Sequence, residues 1–315
     1  MSNVTVSRLG QVNLTGDVDA LMLKVFAGEI LTAFNEACVY QDKHLVRQIA
    51  NGKSAQFPAT GVATASYHTP GNQLTGSTIA GAERVITIDD LLLANVFIAD
   101  IDQAKAHYDF RSEYTKQLGE ALAKAYDQNV ARVAVLTARE AATVTGLPGG
   151  TAINAGVNVR TDGSLISAAL FASAQKFDEN SIPDSDRFAM MRPATYYAAA
   201  ANTNLINKDW GGRGSIADGK IETLAGITIV KSNHVPNADD SALAAIPAKY
   251  RGNFATTAFS VIHRSAVGTV KLMDLSMQSE YLTLFQATLL AARYAVGHGP
   301  LRPEGAIEVK AVAAS

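Results

Sequence analysis

The sequence predicts an α+β fold, and three observations carry that reading. Two segments with period-two alternation flank a long polar stretch punctuated by Gly and Pro. Apolar residues then recur at three- and four-residue steps for about 40 residues without a proline. After that run, helix-like and strand-like segments alternate to the end of the chain.

Residues 1–50 read as a polar arm and a first helix, in which Leu21, Val25, Gly28, Leu31 and Phe34 keep a helical period. Residues 51–82 change character. Gly52, Pro58, Gly61, Pro70, Gly71, Gly76 and Gly81 break a Thr/Ser/Ala-rich stretch. Ser54-Ala55-Gln56-Phe57 precedes its tip, and Glu83-Arg84-Val85-Ile86-Thr87-Ile88-Asp89 follows it. This pattern predicts a long two-stranded projection with a polar tip, and loops that lack a core of their own are commonly functional.

Residues 98–164 hold the clearest element. Asp100-Ile101-Asp102-Gln103 has the form of a capped helix start. Ile101, Ala104, Tyr108, Tyr114, Leu118, Leu122, Ala125, Val133 and Leu136 follow mostly at helical steps. Gly146 and Pro148-Gly149-Gly150 supply the stop. The expected helix covers residues 101–142, about 60 Å at 1.5 Å per residue. Its heptads are not sustained, so it is not a coiled coil.

Residues 165–256 mix both classes. Leu165 to Phe177 reads as an Ala-rich helix and Arg187 to Met191 as a short buried strand. Pro193 suits the first turn of a helix through Tyr196, Tyr197 and Leu205. Gly211-Gly212-Arg213-Gly214 leads to a strand at Ile227 to Val230, and residues 237–256 read as a surface loop. In residues 257–315, Phe259 to Met277 alternates as strands do, whereas Leu282 to Tyr294 fits either a helix or a continued strand. Gly297 to Pro303 is expected to be a rigid turn before a last strand near Ile307-Glu308-Val309.

Composition narrows the function classes. Lys+Arg number 27 and Asp+Glu 29, a formal net charge of -2, which opposes a protein whose main task is to grip phosphates. At 48% hydrophobic and 18% charged residues the chain can bury a sizeable core. The one cysteine, Cys38, excludes an intramolecular disulfide and any multi-cysteine metal site, and it is read as a small buried hydrophobe. The N-terminus has no apolar signal core. Leu91 to Ala99, the longest apolar stretch, is broken by Asn95 and falls short of the ~20 residues that span a bilayer. The expectation is a soluble chain, neither secreted nor embedded in a membrane.

Motifs for chemistry fail on inspection. Gly52-Lys53-Ser54 ends like a phosphate loop, but Arg47 stands where the first glycine is needed. Gly212 to Ala217 fits a relaxed dinucleotide pattern without the strand that must precede it. His44, His68, His107, His234, His263 and His298 show no metal-ligand spacing, and no Gly-x-Ser-x-Gly elbow is present. Asp89-Asp90 and Asp239-Asp240 read as solvated turn residues. No catalytic, cofactor or metal residue is therefore assigned. Tyr108, Arg111, Glu113 and Tyr114 crowd one part of the long helix, and two readings stay open: local ion pairing, or an interface anchored by Arg111.

The chain resembles the major capsid proteins of short-tailed bacteriophages of the autographivirus group. The resemblance rests on Leu23-Lys24-Val25-Phe26-Ala27-Gly28-Glu29-Ile30-Leu31, Gly52-Lys53-Ser54-Ala55-Gln56-Phe57-Pro58 and Val85-Ile86-Thr87-Ile88-Asp89. It continues through His107-Tyr108-Asp109-Phe110-Arg111-Ser112-Glu113-Tyr114, His263-Arg264-Ser265-Ala266-Val267-Gly268 and Gly297-His298-Gly299-Pro300-Leu301-Arg302-Pro303-Glu304. Residues 144–222 and 237–256 match poorly. The resemblance implies the Hong Kong 97 (HK97) capsid fold. Its parts would be an N-terminal arm (1–50), an extended loop (51–97), a peripheral domain with a spine helix (98–164), an axial domain (165–256) and a C-terminal return (257–315).

It also implies a structural, non-enzymatic protein. Its hexamers and pentamers would close an icosahedral shell around double-stranded DNA in the host bacterial cytoplasm, with a scaffolding protein and a portal protein as partners and no membrane. The inter-subunit residues expected are Lys53, Phe57, Tyr67, Arg84, Tyr108, Arg111 and Glu113. The alternatives are an encapsulin-like compartment and a nucleotide-cofactor enzyme built on the Gly212–Ala217 loop.

Overall fold

The computed structural model describes residues 38–73, 76, 78–101, 111–202, 221 and 223–313. The expected first helix, Tyr108, Leu205 and the Gly211–Gly214 loop lie outside the described residues. The chain forms β1 (Leu45–Gln48), β2 (Ser54–Thr60), β3 (Gly81–Thr87), β4 (Leu92–Ala99) and α1 (Arg111–Thr137). Then come β5 (Thr151–Asn154), α2 (Gly163–Glu179), β6 (Arg187–Met191), α3 (Pro193–Ala200), β7 (Thr223–Leu224) and β8 (Ile227–Lys231). β9 (Thr257–His263), β10 (Val267–Leu282), β11 (Ala287–Pro300) and β12 (Ala306–Lys310) close the order. The described residues divide into a smaller unit (38, 89–101, 111–126 and 272–296) and a larger one (those within 39–88, 127–271 and 297–313).

In the smaller unit β11 pairs antiparallel with β4, from Ala287 opposite Ala99 to Tyr294 opposite Leu92. α1 lays Tyr114 and Leu118 against Ile98, Leu290 and Val96. Four positions separate Tyr114 from Leu118, so both fall on one helix face. Leu282 to Tyr294 resolves as strand rather than helix. A turn at residues 283–286 reverses the chain, and Phe285 N–H donates to the Leu282 carbonyl at 3.0 Å.

The larger unit is built on a six-stranded mixed sheet in the order β5-β12-β9-β6-β8-β7. β9 runs antiparallel to β12 and β6, whereas β5–β12 and β6–β8 are parallel pairs. All five residues of β6 are buried, as its unbroken Phe-Ala-Met-Met run requires of a strand covered on both faces. Ile166, Leu170 and Phe177 of α2 pack into a core with Phe259, Val261, Ile307 and Val309. α2 starts at Asp162, whose Oδ1 accepts the Ser164 N–H at 2.8 Å. Pro193 opens α3 as expected.

Four expectations need correction. α1 ends at Thr137, not near 142. There the chain doubles back so tightly that a Cβ on Gly150 would lie 2.5 Å from the Ala138 carbonyl carbon. Gly297 to Pro300 continue β11 rather than turn, and the turn falls at Pro303–Gly305. Gly297 is there for close approach, since a Cβ would lie 2.1 Å from the Thr87 carbonyl oxygen. Residues 237–256 are not simply surface: Tyr250 and Phe254 are fully buried, and Asp240 is a buried partner of Arg132 at 2.9 Å. Cys38 is half-buried rather than buried.

Candidate inter-subunit surface

β2 and β3 form the expected antiparallel hairpin, in register from Ser54 opposite Thr87 to Thr60 opposite Gly81. The period of two sorts its faces. Ala55, Phe57, Ala59, Ala82, Arg84 and Ile86 turn to the covered side, whereas Gln56, Pro58, Glu83 and Val85 stay exposed. At the foot, Ala55 and Ile86 pack with Val270 and Leu301, and Ile49, Phe57 and Ile88 close around them. Beyond Gly61 the cover ends. Every described residue from 62 to 80 is exposed, including Val62 (73%), Tyr67 (107%) and Ile79 (56%).

Gly52-Lys53-Ser54 is the entrance to this hairpin. Gly52 has φ +120°, a region that favours glycine, and the Lys53 carbonyl accepts the Ile88 N–H at 2.9 Å. The Lys53 side chain is exposed. Phe57 is half-buried with the Arg47 guanidinium 5.5 Å from its ring centre. Arg84 is engaged within the chain: Nε donates to Thr143 Oγ1 at 3.0 Å, and Nη1 lies 2.8 Å from Glu140 Oε2. It braces the hairpin against the segment after α1. Arg111 and Glu113 lie in α1.

A groove of ≈ 370 Å³ lies at the foot of the hairpin, with Phe57, Thr60, Leu147 and Leu301 among its walls. Its charged rim is internally paired, Arg84 with Glu140 and Arg302 with Glu304 at 2.7 Å. Among the described residues, no group of three His, Cys, Asp or Glu is placed to hold a metal ion. Three buried-charge contacts were not read from the sequence. Arg132–Asp240 joins residues 108 apart and Arg139–Glu308 residues 169 apart, while Arg187 reaches Asp178 at 2.7 Å. The first two link residues too far apart for any local spacing to reveal.

A one-face-covered hairpin with a bare tip, a long helix and a mixed sheet unit together define the HK97-type fold of phage capsid subunits. Solved structures agree. The capsid of cyanophage P-SCSP1u is 45% identical over all of both chains, with a TM-score of 0.85. The mature capsid of bacteriophage PhiM1 shares the fold at 17% identity, over 97% of this chain and 96% of that one, with a TM-score of 0.77. The major capsid protein of Escherichia phage T7 is 40% identical over 92% of each chain. That of Enterobacteria phage T3 is 37% identical over 94% of this chain and 93% of its own.

Residues 56–310 match the family described as Gp10A-like: Major capsid protein, and the chain belongs to that family. It is a structural component of the virion capsid and not an enzyme, and the shell is assembled from copies of the chain. These matches do not favour the encapsulin-like reading or the nucleotide-enzyme reading.

Proposed function

We propose that the chain forms hexamers and pentamers that close an icosahedral shell around packaged double-stranded DNA. Assembly takes place in the host bacterial cytoplasm with a scaffolding protein and a portal protein. The observation that carries this reading is the hairpin tip. It exposes Val62, Tyr67 and Ile79 although its foot is rigidly packed. Apolar side chains on a stretch of this length gain by being covered by a neighbouring copy. A heterologous contact of that kind closes into rings when the rotation between neighbouring copies closes.

In this reading residues 51–97 serve as the extended loop, 98–164 as the peripheral domain, 165–256 as the axial domain and 257–315 as the return, with 1–50 as the arm. Lys53, Phe57 and Tyr67 meet the neighbour directly. Arg84 acts by holding the hairpin at its angle, because its guanidinium is already engaged by Glu140 and Thr143. Tyr108, Arg111 and Glu113 contribute to the same inter-subunit contact. The near-neutral charge suits a container, since a tightly binding lining would hinder DNA entry and exit.

Negative-stain electron microscopy of the chain coexpressed with its scaffold is the test. Uniform closed particles that retain nuclease-protected double-stranded DNA after coexpression with the packaging components are expected. Small discrete oligomers across salt and pH would count against the shell, and closed particles that never take up DNA would count against the cargo.

A further inference from the structure

The turn from Val39 to His44 is pinned from two sides by buried polar groups. On one side the Asp127 carboxylate, fully buried, accepts the N–H groups of Val39 at 2.7 Å and Tyr40 at 3.3 Å. His234 Nδ1 lies 3.4 Å from that carboxylate. On the other side His44 Nδ1 is 2.7 Å from the Tyr40 carbonyl oxygen. A carbonyl only accepts, so Nδ1 carries the proton and Nε2 is left as an acceptor. His44 Nε2 lies 2.7 Å from Thr269 Oγ1, which lies 2.8 Å from His298 Nδ1. The Thr269 hydroxyl therefore donates to His44 and accepts from His298, and the chain of bonds closes with both rings neutral. Thr269 stands opposite Val46 where β1 pairs with β10, so the residue bonded to His44 belongs to the strand that holds β1.

A second proton on His44 turns Nε2 into a donor. The Thr269 hydroxyl then faces N–H groups from both rings, and its own hydrogen loses its acceptor. We propose that residues 39–48 form a pH-sensitive latch: the neutral His44–Thr269–His298 chain holds the turn and β1 in place, and protonation of the imidazoles releases them.

The surrounding charges oppose one another. Asp127 and Asp42 favour a charged His44, and Arg264 disfavours it. Lys249 and His44 disfavour a charge on His298. Tyr40, Arg192 and His234 line the turn side, and Tyr250, whose hydroxyl accepts the His298 backbone N–H at 2.9 Å, lines the other. Burial is the largest influence on both rings. It holds His44 down to about 4 and His298 well below the usual imidazole value. A released His44 titrates near 6.5, so the open form binds more protons as pH falls from there. The latch is at full strength above about pH 6.5 and weakens down to about pH 4. At about pH 5, His44 alone shifts opening by about 30-fold.

Hydrogen–deuterium exchange of the full chain tests this, with rates corrected for intrinsic chemistry and protection compared at about pH 7.5 and about pH 5. Protection of residues 39–48 is expected to fall about 30-fold while β9 and β12 change less than about threefold. An equal change in all three segments, or none at 39–48, overturns the latch. His44→Gln keeps a donor for Tyr40 and an acceptor for Thr269, and is expected to flatten the pH profile of 39–48. Thr269→Val cuts the chain but keeps both rings, and is expected to open 39–48 already at about pH 7.5. A Thr269→Val protein as protected there as the wild type refutes the proposal, whether or not His44→Gln folds.

Discussion

Arg139→Leu removes the guanidinium that faces the fully buried carboxylate of Glu308. In the intact chain Arg139 Nε and Nη2 lie 2.7 and 2.6 Å from the two carboxylate oxygens, a bidentate pair. Nη1 also donates to the Asn253 carbonyl at 2.8 Å, and the Thr257 hydroxyl donates to Glu308 at 2.6 Å. The Glu308 hydrogen bond, opposed by partial burial, holds Arg139 above its ordinary value. The pair fastens the residues just past α1 to the middle of β12.

Removing one partner of a buried ion pair costs about 3–5 kcal/mol, because the other charge is stranded. Thr257 remains, and Lys310 Nζ is 3.7 Å from Glu308 Oε2, so the lower end applies here. About 3 kcal/mol converts to a melting-temperature loss of about 6–12 °C for a unit of this size. Thermal melting of the unassembled full chain, followed by circular dichroism near neutral pH, measures it. The double variant Arg139→Leu with Glu308→Leu carries no stranded charge and is expected within about 1 kcal/mol of the wild type. A single variant that melts with the wild type, or a double variant as unstable as the single, refutes the reasoning.

Three further outcomes are expected. Replacing residues 61–80 by Asn-Gly joins Thr60 to Gly81, which already face each other in register. This is expected to leave melting unchanged while electron microscopy finds no closed particles. Leu118→Asp sets a carboxylate against Ile98 and Leu290, and a loss of about 2–3 kcal/mol in chemical denaturation is expected. Gly297→Ala drives a methyl into the Thr87 backbone, which has no side-chain freedom with which to yield. A loss of about 3 kcal/mol and faster exchange in β3 are expected, and a wild-type melting curve would show the close approach to be wrong.

Local chemistry was the legible part of this chain. The β2–β3 hairpin, β6, α2, the Pro193 start of α3 and β12 each follow from a local signal such as period-two alternation, an apolar run, an Ala-rich stretch or a proline. Two of the corrections share one cause: glycine and proline signals that resemble turns have another use in tertiary packing. Gly297 and Gly299 look like punctuation, but they let β11 pass against residues 86–88. Gly150 looks like the stop of the long helix, yet α1 ends at Thr137, where the returning chain crowds it. Asp239-Asp240 read as one solvated pair. In the structure Asp239 is exposed and accepts the Ser241 N–H at 3.0 Å, whereas Asp240 is buried against Arg132. Tyr67 is as exposed as its polar, Gly- and Pro-broken surroundings in the sequence imply. The internal engagement of Arg84 depends on Glu140 and Thr143, more than fifty positions away.

The distribution of rigidity matters as much as the list of contacts. Arg84 and Arg302 at the hairpin foot are engaged inside the chain by Glu140 and Glu304, whereas Lys53 and Glu83 stay exposed. What the tip offers is apolar area. Covering Val62, Tyr67 and Ile79 returns about 1.5–3 kcal/mol each at most. Ordering the tip residues opposes this at about 1–2 kcal/mol per residue. A single tip contact is therefore weak. A closed ring changes the sum, because each added copy meets partners already held in place and the later contacts form at high effective concentration. Weak single contacts also let misplaced subunits leave before a shell closes around an error.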